Sequence, residues 1–255
     1  MILSPFILNK QFFNINLTYS FSIIFVGFII ALITYNFSHN LVKGAKYFNP
    51  PKCDNCKNSI FLLGFLPLTS YLFTYGRCKN CNQKFDTNII IFEISIPLFF
   101  LFSYYYFDIT EAFFYSVLFI FLIILFYTDF IKFELHMPTI AIIAILGVIF
   151  NFINESNLTE VFQTVILGFF VGFSVIYFIN NIYFFIRKRN GFGEGDKWFL
   201  GSIGIWLGYF DVLLVFIYSC WLATIFGLFL YSRKKLVSKI PFGCFISITA
   251  IITII

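Results

Sequence analysis

Two aspartates stand next to strongly apolar segments of this sequence. Asp129 follows one such segment, and Asp196 ends the tetrapeptide GEGD at positions 193–196, directly before another. An ionisable side chain at the edge of a bilayer is energetically costly and marks a functional site by default. Two carboxyl groups that share one proton can act together, one as a base on water and the other as an acid on a peptide carbonyl. The pattern therefore indicates the chemistry of an aspartic protease.

Two glycines would help the aspartates to meet. Gly193 and Gly195 permit a positive φ and a close approach of helices, which would let Asp196 reach Asp129. A simpler interpretation stays open, because a motif of four residues is short. In that interpretation Asp196 only caps the following helix, and Asp129 is a solvated loop acid.

Three other acids compete with this pair or could assist it. Glu134 and Glu194 have Lys132 and Lys197 close by in the sequence, and we expect both acids to be solvated loop charges. Glu93 lies about one helical turn inside an apolar segment, so we expect it to face a polar partner inside the bundle rather than lipid. Glu93 is therefore a candidate auxiliary acid.

Cysteines mark a second kind of site. Four of them form two CxxC pairs in the one long polar region, 38–87, and these are Cys53, Cys56, Cys78 and Cys81. Two such pairs suit a tetrahedral four-thiolate Zn²⁺ site that would fold the loop and leave no open position for catalysis. Disulfides, spare thiols and a redox role are the alternatives, and a reducing cytoplasm disfavours the disulfides. Cys220 and Cys244 lie in apolar segments and are predicted to be packing residues.

The composition places these residues in a membrane protein. The chain has 255 residues, of which 60% are hydrophobic and 11% charged, and its mean hydropathy is +0.91, whereas a soluble domain has about 25% charged residues. The sequence thus predicts an all-α polytopic membrane protein with about eight transmembrane helices and a small cytoplasmic zinc-binding loop domain. The eight apolar segments are 19–37, 88–107, 112–128, 137–152, 161–186, 198–210, 212–231 and 240–255.

The basic residues indicate how the chain is oriented. With the loop 38–87 in the cytoplasm, alternating spans place every Lys and Arg except Lys10 on the cytoplasmic side, as the positive-inside rule requires. Asp129 and Asp196 then lie at the cytoplasmic ends of their helices. The net charge of +5 therefore reflects topology and does not indicate nucleic-acid binding. Because residues 1–18 lack the pattern of a removable signal peptide, the first span is expected to remain as an anchor.

Three parts of the chain follow from this pattern. Residues 1–37 would form an N-terminal span, and residues 38–87 the cytoplasmic four-cysteine loop. Residues 88–255 would form a transmembrane peptidase core that contains the GEGD tetrapeptide.

Several motifs in one order resemble type IV prepilin peptidases. The paired CxxC loop encloses the segment LPLTSYL at 66–72, and the tetrapeptide at 193–196 and the segment IPFG at 240–243 follow it. Gly76 and Arg77 stand where that family has a Gly-Lys/Arg-Cys sequence associated with methyl transfer. Glu93 matches a glutamate that opens the next span in the family.

The resemblance implies a bifunctional enzyme in a bacterial cytoplasmic (inner) membrane. It would cut the basic leader from prepilins or pseudopilins on the cytoplasmic side, with Asp129 and Asp196 as the catalytic pair. It would then N-methylate the new amino terminus with S-adenosylmethionine as methyl donor, and Gly76 and Arg77 would belong to the methyl-transfer region. The implied partners are these substrates and the lipid bilayer, with no nucleic acid.

Two other function classes remain open at this point. One is a signal-peptide-peptidase-like or presenilin-like protease, which shares the GxGD motif but lacks the paired CxxC loop. The other is a non-enzymatic zinc-loop membrane assembly factor or transporter subunit. That last class predicts that Asp129 and Asp196 lie far apart and that either can be replaced without loss.

Overall fold

The apolar segments form helices. The computed structural model describes residues 17–45, 53, 55–56, 77–78, 80–84, 88–155, 157–233 and 239–255. The helical elements of these residues are α1 Leu17–Lys43, α2 Ile89–Tyr106, α3 Ile109–Lys132, α4 Met137–Asn154, α5 Leu158–Arg187, α6 Glu194–Ser232 and α7 Phe242–Ile254. A π-helical stretch, Gln163–Leu167, interrupts α5. The predicted all-α class is confirmed.

Six of these elements, α1 to α6, are long and apolar enough to cross a membrane. The seventh, α7, is also apolar but has 13 residues, fewer than the roughly 20 that a perpendicular span needs. The described part of the chain is thus a multi-pass membrane protein, whereas the count of eight spans stays a prediction.

The longest element, α6, reverses direction at Gly208. Gly208 has φ 85° and ψ 176°, a conformation that only glycine adopts without strain. In a straight helix, residues 194 and 216 would be on the order of 30 Å apart along the axis. The rings of Phe192 and Phe216 nevertheless have centroids 6.3 Å apart. The two halves correspond to the predicted segments 198–210 and 212–231, with the boundary at Gly208 instead of near Asp211.

Glycines also allow α5 and α6 to pack backbone to backbone. A Cβ atom on Gly168 would overlap the carbonyl oxygen of Gly204, and one on Gly172 would lie 2.6 Å from the carbonyl oxygen of Leu200. Small residues of this kind permit the closest helix crossings in membranes. The first half of α6, which begins with the GEGD tetrapeptide, is therefore held tightly against α5.

Two buried polar side chains fix α4 against α6. The Trp206 indole Nε1 donates a hydrogen bond of 2.9 Å to the Ile143 carbonyl. The Asn151 amide donates 2.8 Å hydrogen bonds to the carbonyls of Gly147 and Ile205. Carbonyls near a helix break lack intrahelical donors, and Asn151 supplies one next to the break at Gly208.

The C-terminal part of α1, the start of α2 and the end of α3 pack together through aromatic rings. The ring of Tyr35, near the end of α1, lies 5.5 Å from that of Phe92 and 6.1 Å from that of Tyr127. Phe92 lies at the start of α2 and Tyr127 near the end of α3. The polar loop between α1 and α2 therefore starts and ends at the same end of the bundle as Asp129.

Candidate active site

Asp129 lies in the last turn of α3 and is 5% exposed. The helix was predicted to end before this residue, but its last residue is Lys132. Phe133 follows as the cap, in the left-handed conformation with φ 58°. The Cys244 backbone N–H donates a 3.0 Å hydrogen bond to Asp129 Oδ2, and the Gly243 N–H is directed at the same carboxylate. The interpretation of Asp129 as a solvated loop acid is therefore wrong.

Asp196 is the third residue of α6 and is 6% exposed. Its Oδ2 accepts a 2.8 Å hydrogen bond from the backbone N–H of Gly193, the N-cap residue of α6, so the side chain helps to cap the helix from its third position. A capping carboxylate is commonly exposed, whereas this one is buried in the bundle. The capping role in the simpler interpretation is thus real, but it does not account for the burial of the side chain.

Leu135 lies between the elements that carry the two aspartates. A Cβ atom on Gly195 would stand 2.9 Å from Leu135 Cβ, and one on Gly243 would stand 2.7 Å from Leu135 Cδ2 and 3.0 Å from Asp129 Oδ2. Because both positions are glycine, α6 and α7 close on the same leucine. Both aspartates are thus held around one leucine side chain, Asp129 through Gly243 and Asp196 through its neighbour Gly195.

The other acids lie outside this pair. Glu194 is exposed and forms an ion pair with Lys197, and Glu134 is also exposed. Both agree with the prediction of solvated charges. Glu93 is 2% exposed and lines a pocket between α1 and α2 with Pro97.

The four cysteines of the CxxC pairs converge. Their Sγ atoms all lie within 4.8 Å of one another, at 3.5 Å between Cys53 and Cys81 and 3.7 Å between Cys56 and Cys78. Four sulfurs at the usual Zn–S distance in a tetrahedron are ~3.8 Å apart. All four are free thiols, so the pairs are not disulfides, and the cluster fits a metal ion.

Local backbone geometry favours thiolates in this cluster. The backbone N–H of Cys56 lowers the pKa of the Cys53 thiol to about 6, and that of Asn80 lowers the pKa of Cys78. The second knuckle is closed by a 2.8 Å hydrogen bond from the Cys78 N–H to the Gln83 carbonyl. Thiolates are the form that binds metals, so the knuckles are arranged for ligation.

Arg77 is exposed. Its backbone forms an isolated antiparallel β-bridge with that of Lys84, and Arg77 directly precedes Cys78 of the cysteine cluster. Its predicted companion Gly76 and the segment 66–72 lie outside the described residues.

The sequence did not reveal the role of Cys244. This residue was predicted to be a packing side chain, and its thiol does donate to the Phe126 carbonyl at 3.2 Å. Its backbone N–H is what reaches Asp129. The available signal was the segment IPFG at 240–243, since it opens a helix whose first N–H groups need acceptors.

Two family models match adjacent parts of the chain. The model of the type IV leader peptidase family matches residues 116–228, and that of the bacterial peptidase A24 N-terminal domain matches residues 19–107. The first match contains both aspartates, and the second contains the four clustered cysteines.

Curated relatives are similar over most of the chain. A prepilin leader peptidase/N-methyltransferase of Vibrio cholerae is 27% identical over 209 residues, which cover 80% of each chain. One of Dichelobacter nodosus is 24% identical over 208 residues, covering 79% of this chain and 69% of the relative. A type 4 prepilin-like proteins leader peptide-processing enzyme of Escherichia coli is 25% identical over 205 residues, covering 79% and 74%. No solved structure matches the chain significantly.

Proposed function

Because the chain belongs to the type IV leader peptidase family, we propose that it cleaves the leader peptide from prepilin-like proteins, with Asp129 and Asp196 as the catalytic pair. The observation that carries this proposal is that two buried aspartates, from α3 and α6, lie on elements that pack around the same leucine, Leu135, at one end of the bundle. Two carboxyl groups in one site do not both ionise readily, so the pair shares one proton near neutral pH. This is the state that aspartic protease chemistry requires.

Cleavage by this pair proceeds through two proton transfers. In the first, the ionised aspartate takes a proton from water while the water oxygen bonds to the scissile carbonyl carbon. The protonated aspartate gives its proton to the carbonyl oxygen, and a gem-diol forms. In the second, the C–N bond breaks as the amine receives the proton taken from water, and the other aspartate recovers its proton from a gem-diol hydroxyl. The pair is thereby regenerated.

The charges around the site suit a substrate with a basic leader. Asp129 and Asp196 lie in the site, and Glu134 and Glu194 are exposed at the helix ends beside it. These acids offset the local positive charge of the basic loops, which would otherwise repel a basic peptide. By the positive-inside rule the site faces the cytoplasm, where the leader of a bacterial inner-membrane substrate would enter.

The cysteine cluster would hold a structural Zn²⁺. Cys53, Cys56, Cys78 and Cys81 supply a complete four-thiolate set, so a bound zinc ion would stabilise the loop fold. The loop leaves and rejoins the bundle at the end where Asp129 lies, so folding of this loop would shape the approach to the site.

A second reaction, N-methylation of the new amino terminus, would follow cleavage. S-adenosylmethionine would supply the methyl group. Of the residues expected in the methyl-transfer region, Arg77 lies against the cysteine cluster. Glu93 remains a candidate auxiliary acid between α1 and α2.

The test is incubation of the protein in membranes with a pilin-like substrate, followed by mass spectrometry of the product. We expect removal of a short basic leader directly before the hydrophobic helix, and a methyl group on the new amino terminus when S-adenosylmethionine is present. Cleavage without methylation in its presence would remove the second activity from the proposal. Failure to cut any pilin-like substrate would overturn the first.

A further inference from the structure

We propose that the N-terminus of α7 holds Asp129 as a carboxylate, so that Asp196 carries the proton that the pair shares. This inference rests on the proposed function, and it assigns separate roles to two aspartates that the motif alone does not distinguish. Asp129 would be the base that activates water, and Asp196 the acid that protonates the carbonyl oxygen.

The contacts of Asp129 are those of an anion at a helix N-terminus. Gly243 and Cys244 are the second and third residues of α7, which begins at Phe242. Their N–H groups have no acceptor within the helix, and both are directed at the Asp129 carboxylate. Two backbone donors and the positive end of a helix dipole favour the ionised form of an acid.

Asp196 also lies in the first turn of a helix, α6, so a helix dipole favours its ionised form as well, but fewer donors reach it than reach Asp129. The Asp196 Oδ2 accepts one backbone hydrogen bond, from Gly193. A carboxylic acid can keep this bond on one oxygen while its other oxygen carries a proton. Because Asp129 is already stabilised as an anion beside it, repulsion between like charges places the shared proton on Asp196.

The other titratable groups near the pair leave this asymmetry in place. The Cys244 thiol, on α7, is directed at Asp129 and also donates to the Phe126 carbonyl, so it adds to the donors around Asp129. Lys132, one turn after Asp129 on α3, is exposed to solvent. On α6, Glu194 and Lys197 pair with each other. His136, before α4, forms a hydrogen bond with Thr139.

In the hydration step, the water oxygen bonds to the carbonyl carbon, and one water proton goes to Asp129. The π electrons of the carbonyl go to its oxygen, which takes the proton of Asp196. Asp129 is then the acid that protonates the leaving nitrogen.

The first test needs no substrate. Asparagine resembles a protonated aspartate, so we expect Asp196→Asn to leave the midpoint of thermal unfolding in detergent within about 2 °C of the wild type at pH 7. We expect Asp129→Asn to lower it by about 3 °C or more, because the helix N-terminus loses its anion. The reverse order, with Asp196→Asn the less stable variant, would overturn the assignment.

The second test uses the pH profile of leader cleavage. Cys244→Pro removes one donor to Asp129, and proline is tolerated in the first turn of a helix. We expect the acidic limb of the profile to move up by about one pH unit, a ~10-fold loss of rate on that limb. Cys244→Ala keeps the N–H and removes only the thiol, which is also directed at Asp129, so its limb should move up by less than that of Cys244→Pro.

The two tests separate the possible failures. Coincident acidic limbs for the proline and alanine variants would overturn the role of α7. If Cys244→Pro does not fold, the stability order of the two asparagine variants still decides the assignment. If the wild type cuts no pilin-like substrate, the proposed function fails, while the unfolding comparison still reports which aspartate is ionised.

Discussion

Gly195 packs directly against Leu135, and a Cβ atom on Gly195 would stand 2.9 Å from Leu135 Cβ. Real Cβ atoms essentially never approach so closely, so this contact exists only because residue 195 is glycine. Gly195 precedes Asp196, and Leu135 follows α3, which carries Asp129. The contact therefore sets the distance between the elements that carry the proposed catalytic pair.

Gly195→Ala should separate the two aspartates. The added methyl group must push α6 away from Leu135, and a displacement of about 1 Å at a reacting centre can reduce the rate ~10²-fold. We expect cleavage to fall by about this factor, while helical content measured by circular dichroism is retained.

Gly227→Ala is the matched control in the same element. A Cβ atom there would meet only the Ile240 Cδ1 atom, at 3.2 Å, which is the far end of a flexible side chain. This variant should cleave at close to the wild-type rate. A Gly195→Ala protein that cleaves as fast as Gly227→Ala would contradict the proposed spacing.

Cys53→Ser should remove a bound metal. Four thiolates complete the predicted tetrahedral site, and loss of one ligand leaves an open set with much lower affinity. Elemental analysis of the purified wild type should give about one zinc ion per chain, and the variant should give substantially less.

Cys220→Ser provides the comparison for this measurement. Cys220 is a free cysteine in α6 outside the cluster, so its replacement should leave the metal content unchanged. Equal zinc content in the Cys53 and Cys220 variants would show that the cluster is not the metal site.

Asn151→Ala should lower stability without a specific effect on chemistry. The variant leaves the Ile205 carbonyl without the donor it has next to the break in α6, and an unsatisfied buried carbonyl costs about 1–3 kcal/mol. The midpoint of thermal unfolding should fall, while the cleavage rate per folded molecule stays near that of the wild type.

Asn154→Ala tests whether the loss of stability in Asn151→Ala comes from the loss of a buried hydrogen bond. Asn154 is exposed in the same helix, and its replacement should change the midpoint little. A loss of stability as large as that of Asn151→Ala would indicate an effect on α4 as a whole and not on the bond to Ile205.

Gly208→Ala should strain the reversal in α6. The nearest atom to a Cβ at this position is Thr164 Cγ2 at an ordinary 3.5 Å, so space is not the obstacle. The obstacle is the backbone, because Gly208 has a φ of 85°, and such a conformation costs a non-glycine residue about 1–3 kcal/mol. Denaturation in detergent should show that loss, and a Gly208→Ala protein as stable as Gly227→Ala would contradict the backbone account.

Side-chain chemistry explains what the sequence could predict. The CxxC spacing predicted the convergence of the four cysteines, because each knuckle brings two sulfurs to one point. The acids at the segment ends indicated the aspartate pair, and Gly195 makes the predicted close contact with another element. The prediction of a positive φ is wrong for Gly193, whose φ is −68°. The division into 1–37, 38–87 and 88–255 stays a prediction.

Backbone features account for what the sequence did not reveal. Beyond Asp129, α3 is terminated by the left-handed conformation of Phe133, which is rare for an aromatic residue. The donors from α7 to Asp129 are main-chain N–H groups, which every residue but proline possesses, so residue type carries no signal for them. The predicted segments 198–210 and 212–231 meet at Asp211, whereas the chain reverses at Gly208, whose φ is 85°.

Leader cleavage by three variants tests most directly whether Asp129 and Asp196 form one catalytic unit. Asp129→Asn and Asp196→Asn should each reduce the cleavage rate of a pilin-like substrate to background, because neither acid can act without the other. Glu194→Gln, which changes an exposed acid of the same tetrapeptide, should retain cleavage. Substantial cleavage by either asparagine variant, in membranes where the wild type is active, would contradict the account.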